Sequence, residues 1–400
     1  MNRSTFDIQP VNRFVGTNAT IRRPKEITCF SYDDQRQFHL DESSMRYYYP
    51  PQLPADLNRG FGTFQKLDDS ADEHLDALLK TIVAMEKETG KKCEADIITW
   101  RGMMTKILTI PFDNLNGFEM NATRFQDTMY YHNPWPVIKW TGLMIIRFIE
   151  ENNFYKNEQK KVQQNQRMPP GMASQDLMAY WGYKFESISV LRQPWDPTPR
   201  HEIENRDEEI VNNSAQYCSV VRTGIGNVRM VIGGEVDAVW DCKPDRKEDH
   251  IRWVELKTSA EIRNDRDMVK YERKLLKFWA QSFLLGVPKI VVGFRDQQGI
   301  VHRMEEVDTY TIPSKVKKVG RGTWDGNICI NFAAAFLEWL KTTITQDGTW
   351  RIRKAEKSPV IEVFKVEESG HGDILSPEFT AWRSRMEDTE TKEPHEVPAE

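Results

Sequence analysis

The stretch WVELKTS, Trp253–Ser259, sets an acid and a base, Glu255 and Lys257, inside a run whose β-branched and aromatic residues favour a strand. Residues two apart on a strand share a face, so the carboxylate and the ammonium point the same way. Upstream, GGEVDAV (Gly233–Val239) repeats the device with Glu235 and Asp237. If the intervening Asp241–His250 segment joins the two strands as an antiparallel hairpin, three carboxylates and a lysine converge. Crowded carboxylates repel one another, and a divalent cation that prefers hard oxygen ligands, Mg²⁺ or Mn²⁺, relieves the repulsion. One such ion activates water and stabilises charge on a phosphoryl oxygen; two ions, ~3.5–4 Å apart, hold both the attacking and the leaving oxygen. The competing reading is an ion pair on a solvated strand face. Glu-x-Lys alone decides nothing, because it recurs at Glu158, Glu272 and Glu390. The acidic strand before the Glu255 copy and the long helix after it give that copy its weight.

The rest of the chain sets bounds on this site. Of 400 residues, 39% are hydrophobic and 29% charged, enough for a large core, and the net charge of −5 requires any polyanion site to concentrate Lys and Arg locally. The most apolar stretch, WPVIKWTGLMIIRFIEE, is interrupted by Lys139, Arg147 and Glu150, which predicts an amphipathic helix over about Pro136–Glu151 and no membrane segment. Five scattered cysteines without a CxxC pair argue against a disulfide framework or a structural zinc site, and fit a reducing compartment. There is no HExxH, GxSxG or Walker A motif.

Along the chain, residues 1–62 read as irregular backbone with short strands, and Asp68–Lys87 as a helix with an acidic first turn. Gly117–His132 reads as two strands joined by a turn, and the polar, proline-broken Lys156–Gly171 as a loop. A helix over Met172–Ser189 precedes strands at Ala215–Gly224, Asn227–Asp241 and His250–Ser259. The helix at about Arg266–Leu285 buries Leu275, Leu276, Trp279, Ala280, Phe283 and Leu284, while Lys270, Lys274, Lys277 and Gln281 form a second stripe. Gln281 is either a core amide or a phosphate contact, and Cys218 reads as a buried strand residue. A strand at Pro288–Asp296 and a helix at Asn331–Ile344 follow. From Glu367 the chain turns acidic and loses apolar periodicity, which predicts a disordered tail over 367–400 after one domain at 1–366.

Acidic strand, E-x-K strand, then helix is the order found in the PD-(D/E)xK nucleases. With GYKFE (Gly182–Glu186), GEVDAV (Gly234–Val239), VELKTS (Val254–Ser259) and KLLKFWAQSFLLGVP (Lys274–Pro288), the chain resembles the DXO-type RNA decapping nucleases. TWRGMMTKIL around Arg101, CFSYDDQRQFH around Arg36 and INFAAAFL near Asn331 extend the similarity over most of its length. It is most similar to the fungal nuclear branch that partners the nuclear 5′→3′ exoribonuclease. The resemblance implies a single large α/β domain of two mixed β-sheets flanked by helices. It also implies hydrolysis of RNA 5′ ends: triphosphates released as pyrophosphate, unmethylated guanosine caps, and NAD caps. By matching motif, Glu186, Glu235, Asp237, Glu255 and the Leu256 carbonyl would surround one or two divalent metals. Glu235, Asp237, Glu255, Lys257 and Gln281 would form the catalytic set. Arg36, Glu73, Trp100, Arg101, Gly102, Cys218, Glu235, Lys257 and Gln281 would line the substrate site, and the protein would act in the nucleus. The alternative is a mainly non-catalytic subunit that stabilises the exoribonuclease.

Overall fold

The computed structural model describes residues 3–16, 18–132, 139–164, 171–246 and 249–392. Its strands are, in chain order, β1 (Ser4–Asp7), β2 (Ile21–Tyr32), β3 (Phe38–His39), β4 (Tyr47–Tyr48), β5 (Ala55–Asp56), β6 (Ile97–Trp100), β7 (Phe118–His132) and β8 (Lys139–Glu151). There follow β9 (Val190–Leu191), β10 (Gln216–Ile225), β11 (Val228–Glu235), β12 (Ala238–Val239), β13 (Trp253–Ala260), β14 (Lys289–Arg295), β15 (Ile300–Asp308), β16 (Thr349–Lys354) and β17 (Val360–Glu367). The α-helices are α1 (Asp76–Thr89), α2 (Arg101–Thr109), α3 (Asn153–Gln164), α4 (Gln175–Ile188), α5 (Arg200–Glu204), α6 (Asp265–Leu285), α7 (Ile312–Lys318), α8 (Gly326–Thr343) and α9 (Pro377–Lys392).

The strands form two mixed sheets, as expected. A ten-stranded sheet runs β1-β17-β16-β7-β8-β6-β11-β10-β2-β3, and a seven-stranded sheet runs β5-β15-β14-β13-β12-β4-β9. The largest core lies where α2, α6 and α8 pack, with Met104, Leu276, Trp279, Phe332 and Phe336 buried beside Ile232, Ile290 and Val292. α4 covers the other face of the smaller sheet through Tyr180, Trp181 and Phe185, against Val254, Leu256 and Val291. Alternate residues of β13 and β14 therefore face different cores, which is why β14 reads as a nearly continuous apolar run.

Four expectations are corrected. Pro136–Glu151 is not a helix: residues 133–138 lie outside the described residues, and 139–151 form β8, paired with β7 from Met120↔Glu151 to His132↔Lys139. Arg147 and Glu150 are held inside the sheet packing. Arg147, 4% exposed, donates to the Lys341 carbonyl, and Glu150 accepts from His74 at 3.0 Å. Gly117–His132 is one long strand with no internal turn, and Asn153–Gln164 of the expected loop is helical, residues 165–170 lying outside the described residues. The tail does not begin at 367. Ile374, Leu375 and Phe379 are buried against α1 and β8, and Arg383 of α9 is fully buried between Glu86, at 2.6 Å, and Asp127.

Candidate active site

β11 and β13 belong to different sheets, and the site forms where the chain passes from one to the other. β11 ends the acidic strand at Glu235 in the ten-stranded sheet, Val236 and Asp237 cross over, and β12 enters the smaller sheet, where Ala238 pairs with Val254 and Val239 with Trp253. The expected antiparallel hairpin exists, but it holds only the later part of the acidic segment. Asp237 turns toward β13, where Oδ2 accepts from the Leu256 amide at 2.6 Å and lies 3.4 Å from Lys257 Nζ. Lys257 Nζ also lies 2.7 Å from Glu255 Oε1, which places both side chains on one strand face as their spacing requires.

The glycines before Glu235 allow helices to approach this strand end. A Cβ on Gly233 would stand 2.7 Å from the Trp100 ring; on Gly234 it would meet Arg101 Cβ at 2.8 Å and Leu285 Cδ1 at 2.9 Å. The start of α2 and the end of α6 are thereby brought against β11. Arg101 Nη1 donates to the Glu235 carbonyl at 2.9 Å and to Glu255 Oε2 at 3.4 Å. α4 supplies Glu186 from the opposite side, facing Asp237, Lys257, Glu235 and Glu255.

The four carboxylates meet two cations, Arg101 and Lys257, which leaves two negative charges uncompensated. Burial, then the Asp237 charge, pushes Glu235 up to about 7. Burial and neighbouring carboxylates likewise raise Asp237 and Glu186. Glu255 is held low despite its complete burial, because Lys257 and Arg101 both favour its ionised form. The Lys257 ammonium is stabilised by Asp237, Glu255 and Glu186 against the cost of its burial. Glu255 Oε1 is buried and accepts no well-directed hydrogen bond: Lys257 is close, but off the angle such a bond needs. A net-negative group of buried carboxylates is the donor set a hard divalent cation requires, so these residues fit the metal.

Two cavities adjoin at Glu235 and Gln216. One, of about 210 Å³, is lined by Arg101, Glu186, Glu235, Asp237, Glu255 and Lys257. The other, of about 410 Å³, is lined by Arg36, Glu73, Trp100, Gly102, Cys218 and Glu235. Arg36 adopts φ +62° in the β2–β3 turn and lies over the Tyr32 ring at 3.9 Å, donating to Glu73 at 3.0 Å and to Gln216. Gln216 in turn donates to Glu235 Oε2 at 3.1 Å, which ties the two cavities together. Cys218, opposite Glu235 in the β10–β11 ladder, is both buried and part of the cavity wall, its thiol pushed up by burial. Gln281 is half-buried on α6 and hydrogen-bonds none of these residues, although Leu285, one turn on, touches Gly234. Gln216 was not anticipated; it lies two residues before Cys218 on one strand face, and that spacing was the available signal.

A mixed sheet carrying acid and lysine side chains between flanking helices defines a PD-(D/E)XK-type nuclease. The family model described as RAI1 like PD-(D/E)XK nuclease matches residues 22–380, and the chain belongs to that family. It is similar to the decapping nuclease RAI1 of Aspergillus fumigatus, 74% identical over 385 residues, covering 96% of this chain and all of the relative. The crystal structure of Candida albicans Rai1 in complex with pU5–Mn²⁺ superposes with TM-score 0.82 at 30% identity, covering 96% of this chain and 100% of that one. Scheffersomyces stipitis Rai1, in complex with (3′-NADP)⁺ and calcium ion, gives TM-score 0.82 at 27% identity with the same coverage. Among the described residues no helix is long and apolar enough to cross a membrane.

Proposed function

We propose that this chain is a metal-dependent decapping hydrolase of RNA 5′ ends, which removes pyrophosphate from triphosphate ends, unmethylated guanosine caps and NAD caps. The observation that carries the proposal is the group of four carboxylates facing two cations where two cavities adjoin. A scissile phosphate at Glu235 would have room on either side for a cap or terminal phosphates and for the RNA. The decapping names of relatives up to 74% identical, together with the pU5–Mn²⁺ and (3′-NADP)⁺–calcium complexes of similar chains, support this substrate class.

Glu186, Glu235, Asp237, Glu255 and the Leu256 carbonyl would hold the divalent metal, Mg²⁺ or Mn²⁺, as one or two ions. When bound, it would supply an activated water and charge stabilisation at phosphorus. Arg101 fixes the Glu255 carboxylate and the end of β11, and Gln216 fixes Glu235. Lys257 keeps its proton, so it offers fixed positive charge to a phosphate oxygen in the cavity it lines. Arg36, stacked on Tyr32, presents a guanidinium to the wider cavity. In the cell we place this activity in nuclear RNA 5′-end quality control, with stimulation of a 5′→3′ exoribonuclease.

The test is product analysis with Mg²⁺ or Mn²⁺ on RNA bearing a triphosphate, an unmethylated cap, a methylated cap or NAD. Release of pyrophosphate or intact cap dinucleotide that disappears in Glu235→Ala/Asp237→Ala is the expected result. Equal product from the variant removes the assignment.

A further inference from the structure

The lysine stripe of α6 has no part in the site described so far. In the fold, Arg266, Lys270, Arg273, Lys274 and Lys277 are all exposed and lie along one helical face, about 22 Å from Arg266 to Gln281 at 1.5 Å per residue. No carboxylate of α6 itself stands on that face. Asp267 flanks it, 3.5 Å from Lys270, while Glu272 points to the opposite side, where it accepts from the Arg321 amide and Thr323. Lys277 pairs with Asp113 at 2.9 Å. Among the described residues, Arg266, Arg273 and Lys274 make no ion pair.

Such a face opposes the helix that carries it. Arg266 and Lys270, Lys270 and Lys274, and Arg273 and Lys277 are like charges four residues apart, each pair weakening the helix. In a chain of net charge −5, five cations on one face are a local concentration that composition does not supply. The face also has a direction. It runs to Gln281, and one turn later Leu285 stands against Gly234, next to Glu235.

We propose that this face of α6 is a track for the single-stranded body of the RNA, holding phosphates without regard to base and relieving its own like-charge repulsion when occupied. The proposal rests on the RNA 5′-end reading and extends it beyond the catalytic cavities. An extended polyanion matches a row of cations spaced along a helix, of which Arg266, Arg273 and Lys274 hold no carboxylate among the described residues.

The experiment uses the full chain, wild type and Arg266→Glu/Arg273→Glu/Lys274→Glu, with a charge-matched control, Lys315→Glu/Lys318→Glu/Lys357→Glu. Each is assayed on 5′-triphosphate RNAs of about five and about thirty nucleotides across a salt series, and binding of a thirty-nucleotide 5′-hydroxyl RNA is measured by fluorescence anisotropy. The stripe variant is expected to raise KM on the long RNA by roughly tenfold or more. It should also flatten log KM against log salt by about 2, at ~0.7 per single-strand phosphate contact. Its kcat and its activity on the short RNA should match wild type, and the control should match wild type throughout. An unchanged stripe variant on long RNA, an equal loss on both lengths, or an equal loss in the control overturns the track. So does a stripe variant that keeps RNA binding but loses binding of labelled polyglutamate, measured by the same anisotropy assay, which would assign the face to an acidic protein. If wild type hydrolyses neither RNA, the 5′-end reading fails, and the anisotropy comparison still decides the track.

Discussion

Glu235 and Gly234 show how much a single position controls here. Removing both Glu235 and Asp237 takes away two of the proposed metal ligands and most of the charge crowding, so Glu235→Ala/Asp237→Ala should lose at least a hundredfold in 5′-end hydrolysis. Its melting temperature in chelator should match or exceed wild type, because like charges held together cost stability. Rate and melting curve measured on one preparation separate this from simple misfolding. Gly234→Ala acts through geometry instead, since its Cβ would stand 2.8 Å from Arg101 Cβ and 2.9 Å from Leu285 Cδ1. Overpacking of this kind costs about 1–3 kcal/mol. Denaturant melts should show that loss, and activity should fall at least tenfold as Arg101 is displaced; wild-type kcat/KM would refute the positioning role. The acidic and basic side chains of this site were legible because strand spacing fixes which residues share a face. Gln216, which joins Arg36 to Glu235, was not: its spacing from Cys218 places it on the same face, but nothing marks its amide as the link until its partners are known.

Among the elements, β8 and α9 were misread for opposite reasons. The LMIIRFIEE run of β8 is apolar toward both faces of the sheet, with Ile146, Phe148 and Ile149 fully buried, so periodicity could not separate strand from helix. Arg147 and Glu150 looked like the polar side of an amphipathic helix, whereas they bond to the Lys341 carbonyl and His74. α9 is acidic and sparsely apolar, yet it is anchored by Phe379 and by Arg383, which is fully buried with Glu86 and Asp127. Lys92, 2.9 Å from Asp127, completes this interior charge group. Arg383→Ala would leave Glu86 without its cation and Asp127 with one partner fewer, at a cost of about 3–5 kcal/mol. Urea unfolding should show it as a lower midpoint. Ending the chain at 366 should destabilise it by more, by uncovering the α1 and β8 surfaces as well, whereas ending it at 392 should leave the melting temperature within a degree or two. Equal stability of the 366 and 392 forms would restore the tail to the disordered class.

Across the whole molecule, the site depends on one crossing of the chain between two sheets. Sequence spacing put Glu235 and Asp237 on one face, but could not show that one ends a strand of the ten-stranded sheet while the other precedes the smaller one; sheet membership is set by long-range pairing that local pattern does not encode. Because both sheets and three helices converge there, the charge state of the cluster is linked to the stability of the fold. Glu235, raised from its ordinary 4.5 to about 7, binds its proton more tightly folded than unfolded. Its contribution to stability is therefore complete below the unfolded value, near pH 4.5, and is lost as pH rises through about 7. At about 1.36 kcal/mol for each pH unit between those two values, the loss amounts to at most about 3 kcal/mol. In chelator, the melting temperature of wild type should fall between about pH 5 and pH 8, and Glu235→Gln should flatten that decline. Mn²⁺ binds the ionised carboxylates, so its stabilisation should be small near pH 5, large near pH 8 and much reduced in Glu235→Gln. Differential scanning fluorimetry of the two proteins, with chelator or Mn²⁺ at each pH, reads all of these effects. A Mn²⁺ stabilisation that is independent of pH and unchanged by Glu235→Gln would place the ion elsewhere on the molecule.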